Sequence, residues 1–198
     1  MTAESAGRRS PLGHLTTQLA AAPPGVALAE LPFLTQINLR IDPAGPAAGA
    51  VADLLGTALP RQANTSVTAG EVTALWLGPD EWLVLAPQGR QESLGKALRH
   101  AIGTEGGTVV DLSAHRTTVE LTGERASEVL AKGCALDLHP TVFSPGSCAQ
   151  VLLAQAPILL VTREGDHPAY WLLVRASFAT YVADWLLDAC LEYGASSA

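Results

Sequence analysis

The chain has few charged side chains, and basic residues are the scarcer kind. Charged residues make up 16% of its 198 residues, with 12 Lys and Arg against 19 Asp and Glu and a net charge of −7. About a quarter of a typical soluble domain is charged. Nucleic-acid binding depends on clustered Lys and Arg that neutralise phosphates. Because Arg8 and Arg9 are the one adjacent basic pair, we predict no nucleic-acid partner.

The low charge has two possible explanations. Part of the surface is covered by a protein partner, which favours a weakly charged and apolar exterior, or the composition reflects an alanine-rich sequence. Hydrophobic residues make up 48% of the chain, which is enough for a substantial core in either case. The length predicts one domain or two closely joined halves.

Long apolar runs and paired cysteines are also missing. No run of about 18 apolar residues occurs, so we predict no membrane-spanning helix. Residues 1–15 contain no continuous apolar segment of the kind that a secretory signal needs. Three cysteines, Cys134, Cys148 and Cys190, cannot all pair and form no C-x-x-C motif. These features predict reduced thiols in a bacterial-type cytoplasm.

Motifs for nucleotide or metal binding are absent from the sequence. The glycine-rich segments 43–50 and 103–108 match neither G-x-G-x-x-G nor the P-loop pattern, so no pyrophosphate site for FAD, NAD or ATP is predicted. Cys134, His139 and Cys148 lack the closely spaced ligand pair that is typical of structural zinc sites. We therefore predict that these cysteines are buried structural residues.

One segment, TVVDLSAHRTTVELTG at residues 108–123, contains the three side-chain types of a hydrolase triad: Asp111, Ser113 and His115. Alternate residues of a strand share one face and lie about 6.5–7 Å apart. A nucleophile and its base must approach to about 3 Å. The spacing therefore does not predict a triad, and we expect Asp111 and Ser113 to bind backbone donors at a strand end.

The pattern of apolar residues predicts an α+β fold. Alternation at residues 35–41 indicates a half-buried strand, and spacings of three and four residues indicate helices. The predicted order is β-α-ββ-α-ββ-α-βββ-α, which favours two stacked α/β half-units with mostly antiparallel sheets and helices packed on one side. Three segments are expected: a flexible N-terminal tail and extended arm at 1–30, a first half at 31–105, and a second half at 106–198.

Two tryptophans are candidate interface residues. Trp76 and Trp82 bracket the turn LGPDEWL. They could stack on a flat ligand or anchor a protein partner, because tryptophan is enriched at binding hot spots. We expect at least one of them to pack onto the core.

Two arginines, Arg116 and Arg175, are the other candidate interface residues. Each lies in or beside an apolar strand. Arginines in such places usually pair with a carboxylate, and Asp111 or Glu120 are the candidates for that pairing. Anion binding is the alternative role.

Several long segments resemble the gamma subunit of heterotetrameric sarcosine oxidase. The similar segments run in order from about residue 10 to the last helix; they are ALWLGPDEWLVLAP, VVDLSAHRTTVELTGERASEVLAKGCALDLHP, FSPGSCAQVLLAQAPILLV and YWLLVRASFATYVADWLLDA. A more distant resemblance is to the folate-binding aminomethyltransferase (T-protein) family. In both, a D-x-S segment, a strand, a Gly-led helix and a terminal aromatic helix follow one another.

The resemblance implies a non-catalytic structural subunit of a bacterial enzyme with an aminomethyltransferase folate-domain-like fold. That enzyme oxidises sarcosine to glycine, H2O2 and either formaldehyde or 5,10-methylenetetrahydrofolate. Its alpha, beta and delta subunits are the implied partners, and they carry FAD, covalent FMN, NAD, tetrahydrofolate and zinc. The gamma chain is expected to bind no cofactor or metal, to supply no catalytic residue and to be inactive alone.

Two other functions remain open from the sequence. A stand-alone folate-binding module is the first alternative, although aminomethyltransferases are about twice as long and bind folate in a large central cavity. A small hydrolase that uses Ser113 or Cys134 as its nucleophile is the second.

Overall fold

The computed structural model, which describes residues 7–194, consists of two five-stranded antiparallel sheets stacked face to face. Helices cover the outer face of each sheet, so the chain forms four layers. The elements are α1 (Thr16–Ala20), β1 (Ala27–Leu31), β2 (Thr35–Arg40), α2 (Pro46–Leu55), β3 (Ser66–Ala69), β4 (Val72–Gly78), β5 (Glu81–Ala86), α3 (Gln91–Ile102), β6 (Thr108–Asp111), β7 (Arg116–Thr122), α4 (Ala126–Ala131), β8 (Cys148–Leu153), β9 (Ala156–Arg163), β10 (Ala169–Arg175) and α5 (Ala179–Gly194).

The first sheet has the strand order β3-β4-β5-β2-β6 and is covered by α2 and α3. Alternation along β2 places Ile37 and Leu39 on its outer face, where they are fully buried against the helices. Val51 of α2 and Leu98 of α3 contribute to the same cluster. Burial of each such side chain stabilises the fold by about 1.5–3 kcal/mol.

The second sheet has the order β1-β7-β10-β9-β8 and is covered by α1, α4 and α5. Val119 and Leu172 are directly opposite one another on β7 and β10 and face the helices. Val129 of α4 and Leu186 of α5 pack onto them. Each half therefore has its own helix-on-sheet core.

A third cluster, which we call the inner layer, joins the two sheets. The first sheet contributes Leu75, Leu83 and Leu85, and the second contributes Cys148, Leu159, Val161 and Leu173. No helix residue belongs to this cluster. The inner layer therefore depends on both sheets being in place.

The observed architecture confirms the predicted α+β class and the two stacked half-units with helices on one side of each sheet. From β2 onward the order of elements agrees with the predicted one, except for the additional strand β3 in a segment expected to be a loop. The expected arm at 1–30 contains helix α1 and strand β1. The expected tail falls partly on residues 1–6, which lie outside the described residues.

Two strands show how the sheets divide the chain. Strand β1, most of which lies in the predicted arm at 1–30, pairs with β7 of the second sheet. Strand β6 pairs with β2 of the first sheet, although it lies after the predicted boundary 105/106. The reason is that the chain passes between the stacked sheets at 32–34 and again at 112–115. The division into two halves stays a prediction about folding units.

In the described part of the chain, no helix has the length and apolar character needed to cross a membrane.

Candidate subunit interface

Asp111, Ser113 and His115 lie where the chain leaves β6 and enters β7. One oxygen of Asp111, Oδ1, accepts hydrogen bonds from the Ser113 N–H at 2.9 Å and from Ser113 Oγ at 2.5 Å. Ser113 Oγ in turn accepts the N–H of Gln36 at 3.0 Å. His115 is exposed and forms no side-chain bond to Ser113 among the described contacts. The prediction that Asp111 and Ser113 bind backbone donors is therefore confirmed.

The three cysteines are buried and unpaired. Burial raises the pKa of Cys148 to about 11, which keeps the thiol protonated and unreactive at neutral pH. Cys134 is buried while His139 is exposed, and the His139 ring bonds to Thr141 at 2.7 Å. The prediction of buried structural cysteines is confirmed. Within residues 7–194 no group of three or more potential ligands could hold a metal ion.

The two candidate tryptophans occupy different environments. Trp82 is fully buried under α2 and α3, and its Nε1 donates to the carbonyl of Pro60 at 2.8 Å. An indole in this position cannot contact a partner, so the structure removes Trp82 from the interface set. The expectation that at least one tryptophan packs onto the core is confirmed. Trp76, directly opposite on β4, is half-buried and stays a candidate.

Arg116 and Arg175 are neighbours. They lie directly opposite one another on β7 and β10, on the face that the inner layer occupies further along the strands. Arg175 is exposed and Arg116 is half-buried. The Nη1 atom of Arg116 is buried without a hydrogen-bond partner in the structure. Since like charges directly opposite on paired strands are destabilising, this arrangement is costly in the isolated chain.

The carboxylates near these arginines are already bound to other groups. Glu81 accepts from Arg40 at 2.5 Å and from Asn38 at 2.8 Å, and the bond from Arg40 holds the pKa of Glu81 below its ordinary value. Glu120 accepts from Trp171 at 3.0 Å. Within the described residues neither Arg116 nor Arg175 forms an ion pair, so the expected pairing with Asp111 or Glu120 was wrong.

The local field at the two arginines is positive. Burial lowers the pKa of His115, and the charges of Arg116 and Arg175 lower it further. Burial also lowers the pKa of Arg116, with a contribution from Arg175, although guanidinium groups remain protonated in proteins. A chain with a net charge of −7 thus presents a locally cationic corner.

A groove of about 290 Å3 opens beside the arginines. We call it the arginine groove; its main lining residues are Arg116, Gln150, Leu152, Pro157, Leu173 and Arg175. Leu152, on the edge strand β8, is 58% exposed. Sequence reasoning identified the two arginines but not Leu152 or Pro157, because these residues come from other strands and meet the arginines through the β8-β9-β10-β7 order.

A second concave region, of about 780 Å3, lies at the opposite end of β7 and β10. Its lining includes Glu120, Glu124, Glu164 and Asp166. The guanidinium of Arg163 stacks on the Trp171 ring at 4.0 Å. That stacking occupies one face of the indole, so this face is covered within the chain itself.

Comparison with known proteins decides the family. The sequence model described as the sarcosine oxidase, gamma subunit family matches residues 40–192. The chain belongs to this family. The sarcosine oxidase gamma subunit of Corynebacterium sp. (strain P-1) is 41% identical over 189 residues, which cover 94% of this chain and 91% of that protein. The gamma subunit of Arthrobacter sp. has the same identity and coverage.

Solved structures agree with this gamma subunit assignment. The heterotetrameric sarcosine oxidase of Corynebacterium sp. U-96, in complex with pyrrole 2-carboxylate, contains a chain with a TM-score of 0.88 and 37% identity, and the match covers 96% of this chain and 98% of that one. Aminomethyltransferase T of the glycine cleavage system from Bartonella henselae has a TM-score of 0.60 at 16% identity, and the match covers 89% of this chain and 49% of that one. The second likeness establishes a shared fold alone.

Proposed function

We propose that this gamma subunit family member is a non-catalytic structural component of a heterotetrameric sarcosine oxidase. The observation that carries the proposal is its match with a sarcosine oxidase gamma subunit over 94% of its length, together with its match to a chain of a heterotetrameric sarcosine oxidase structure over 96%. Alpha, beta and delta subunits would be its partners. Those chains would hold FAD, covalent FMN, NAD, tetrahydrofolate and zinc and would oxidise sarcosine to glycine, H2O2 and either formaldehyde or 5,10-methylenetetrahydrofolate.

The non-catalytic role is supported by the environments of the reactive side chains. Ser113 is engaged by Asp111 and by the Gln36 N–H and lies 6% exposed. Cys134, Cys148 and Cys190 are buried. Side chains held in this way stabilise a fold and are poorly placed to attack a substrate. Reduced, buried thiols also fit the cytoplasmic location that we propose for the complex.

We propose that the chain stabilises the complex through contacts between its outer surface and the partner subunits. Trp76, Arg116 and Arg175 are the candidate contact residues, and Leu152 adds an exposed apolar side chain beside the arginines. Aromatic residues and arginine are enriched at the centre of protein interfaces. The weakly charged surface favours the same role.

Expression with and without the partner chains tests this function. The isolated chain should show no visible flavin absorbance above that of a protein blank, since it carries no recognisable flavin motif. It should also produce no H2O2 from sarcosine. Co-expression with alpha, beta and delta should give a flavoprotein complex that contains the chain and oxidises sarcosine. A chain that stays monomeric beside all three partners contradicts the proposal.

A folate titration separates the alternative function. A stand-alone folate-binding module would quench tryptophan fluorescence when tetrahydrofolate is added to the isolated chain. The proposed structural subunit gives a flat titration in isolation, and any folate response would appear only in the complex. Saturable quenching of the isolated chain by tetrahydrofolate would therefore favour the folate-binding module.

A further inference from the structure

The arginine groove contains two guanidinium groups without acidic partners and a buried donor without an acceptor. Two guanidinium groups lie on opposed strands with no ion-pair partner among the described residues. The Nη1 atom of Arg116 is shielded from solvent and makes no hydrogen bond. Burying a charged donor without an acceptor is unfavourable, so the isolated chain lacks a stabilising partner here.

The polar groups next to the groove cannot complete it. Gln36 donates its Nε2 to the carbonyl of Arg116 at 3.2 Å, while its own Oε1 is buried without a partner. Glu81 is held by Arg40 and Asn38. Burial of His115, together with the charges of Arg116 and Arg175, lowers its pKa. Within the described residues no carboxylate pairs with either guanidinium, and an acidic group from outside the chain would supply that partner.

The apolar part of the groove indicates what carries that acceptor. Leu152 is 58% exposed, and the exposed Pro157 lies directly opposite it on β9. A small carboxylate ion from solution would leave these apolar side chains exposed to water. An acidic side chain on an apolar protein segment would cover them and would supply oxygens to both arginines.

We propose that the arginine groove binds an Asp or Glu side chain of a partner subunit, carried on an apolar segment, and that Arg116 and Arg175 hold this carboxylate together. The inference rests on the proposed function, because it requires the partner chains of the oxidase. It assigns Arg116 and Arg175 as the charged centre of one subunit interface, with Leu152 as its apolar rim.

Charge reversal in the co-expressed complex tests the proposal. Arg175→Glu places a carboxylate opposite Arg116 within the chain itself and should displace the partner's carboxylate. Loss of one member of a desolvated charge pair weakens association by at least about 30-fold, measured as dissociation of the purified complex on dilution. Lys96→Glu, at an exposed position on the outer helix α3, makes the same charge change and should dissociate like the unaltered complex.

The isolated variant separates folding from assembly. Because the new carboxylate can pair with Arg116, Arg175→Glu should unfold at the same temperature as the unaltered chain or at a higher one. Arg175→Gln removes the charge without adding a carboxylate and should weaken assembly less than the reversal does. A complex of Arg175→Glu that dissociates within about threefold of the unaltered one overturns the proposal.

Cross-linking identifies the carboxylate. In the Arg175→Lys complex, a zero-length carbodiimide reagent should join the new amine to an Asp or Glu of a partner subunit, and mass spectrometry should locate that residue. Its replacement by Arg should then restore assembly to Arg175→Glu. A cross-link to a second copy of this chain, or none to any partner, overturns the proposal. If the unaltered chain itself fails to join the complex, the proposed function fails instead, so the two failures are distinguishable.

Discussion

At the scale of single residues, His115 reports the electric field at the arginine groove. Its pKa is lowered by burial and by Arg116 and Arg175. Replacing Arg175 with Gln should raise the pKa of His115 toward its ordinary value of about 6.5, which NMR titration of the imidazole protons can measure. The other four histidines serve as internal references, and Lys96→Gln should leave His115 unchanged. If the pKa of His115 is unchanged or lower in Arg175→Gln, the positive field assigned to Arg175 is contradicted.

The same pKa fixes the sign of a pH effect on stability. Because His115 binds a proton less readily in the folded chain than in the unfolded one, the unfolded state takes up protons first as the pH falls below about 6.5. The free energy of unfolding should therefore decrease as the pH falls from about 6.5 to the pKa of His115 in the folded state. Above about pH 6.5 the stabilisation that neutral His115 contributes is fully present. Arg175→Gln should weaken this dependence, as urea titrations at pH 7.5 and roughly pH 5.5 would reveal. A steeper dependence in the variant would contradict the sign.

Ser113 is a structural residue whose removal has a defined cost. Ser113→Ala leaves the buried N–H of Gln36 without its 3.0 Å acceptor and should lower the free energy of unfolding by about 1–3 kcal/mol. Urea denaturation measures this loss. Ser93→Ala is the matched control, since that exposed hydroxyl donates to the carbonyl of Arg90, and its effect should stay within about 0.5 kcal/mol. Equal effects of the two changes would contradict the assigned role.

At the scale of secondary-structure elements, the local sequence predicts those helices and strands whose apolar residues recur with a helical or a strand period. The alternation TQINLR predicts β2 and the run QESLGKALRHAI predicts α3, and both form over those residues. Strands β1 and β3 contain ALAEL and SVTA, whose alanines have weak strand preference. They form because β7 and β4 offer unpaired edges. That information is tertiary and is not available in the local sequence.

The residues of the candidate site also differ in whether the local sequence predicts them. Arg116 and Arg175 are recognisable because a charged residue interrupts or follows an apolar strand. Leu152 is not, since a leucine in CAQVLL reads as core until the strand order places it at an open end of the sheet. The sequence also does not say which of the two tryptophans packs onto the core: the indole of Trp82 does, because it lies on the helix-covered face of β5, where Pro60 accepts its N–H.

The end of α4 depends on a close approach between two elements. Gly133 follows this helix, and a Cβ added there would lie 2.4 Å from Cζ2 and 2.9 Å from Cη2 of Trp185 on α5. Gly133→Ala must displace the indole and should cost about 1–3 kcal/mol of unfolding free energy. Gly49→Ala is the control and should have the opposite effect: nothing lies near a Cβ at this exposed position of helix α2, so the change should stabilise the fold by about 0.5–1 kcal/mol.

A double substitution completes the test of this contact. Trp185→Leu removes the indole, so adding Gly133→Ala to it should cost much less than in the unaltered chain, with a coupling of about 0.5–3 kcal/mol. Thermal and urea unfolding of the four proteins measure this coupling. Additive effects would mean that Gly133 is required for a reason other than the indole.

At the scale of the whole molecule, the inner layer decides whether the halves predicted at 31–105 and 106–198 are independent. Leu83 of the first sheet is fully buried in it, against residues of the second sheet such as Val161. Strand β1, from near the start of the chain, belongs to the second sheet, and β6, which lies after the predicted boundary 105/106, belongs to the first. We therefore expect one cooperative unfolding transition in which loss of inner-layer packing destabilises both sheets equally.

Leu83→Ala tests this expectation. The change should lower the free energy of unfolding by about 2–5 kcal/mol, and hydrogen exchange should show the same loss of protection in peptides from β4 and β5 as in peptides from β9 and β10. Leu54→Ala, at a leucine that is 42% exposed, is the control and should change stability by about 0.5 kcal/mol or less. If only the first sheet loses protection, the halves unfold separately and the inner layer is a contact between two independent units. Equal loss in both sheets means that a partner bound at the arginine groove, which is built on the second sheet, stabilises the entire gamma chain through the inner layer.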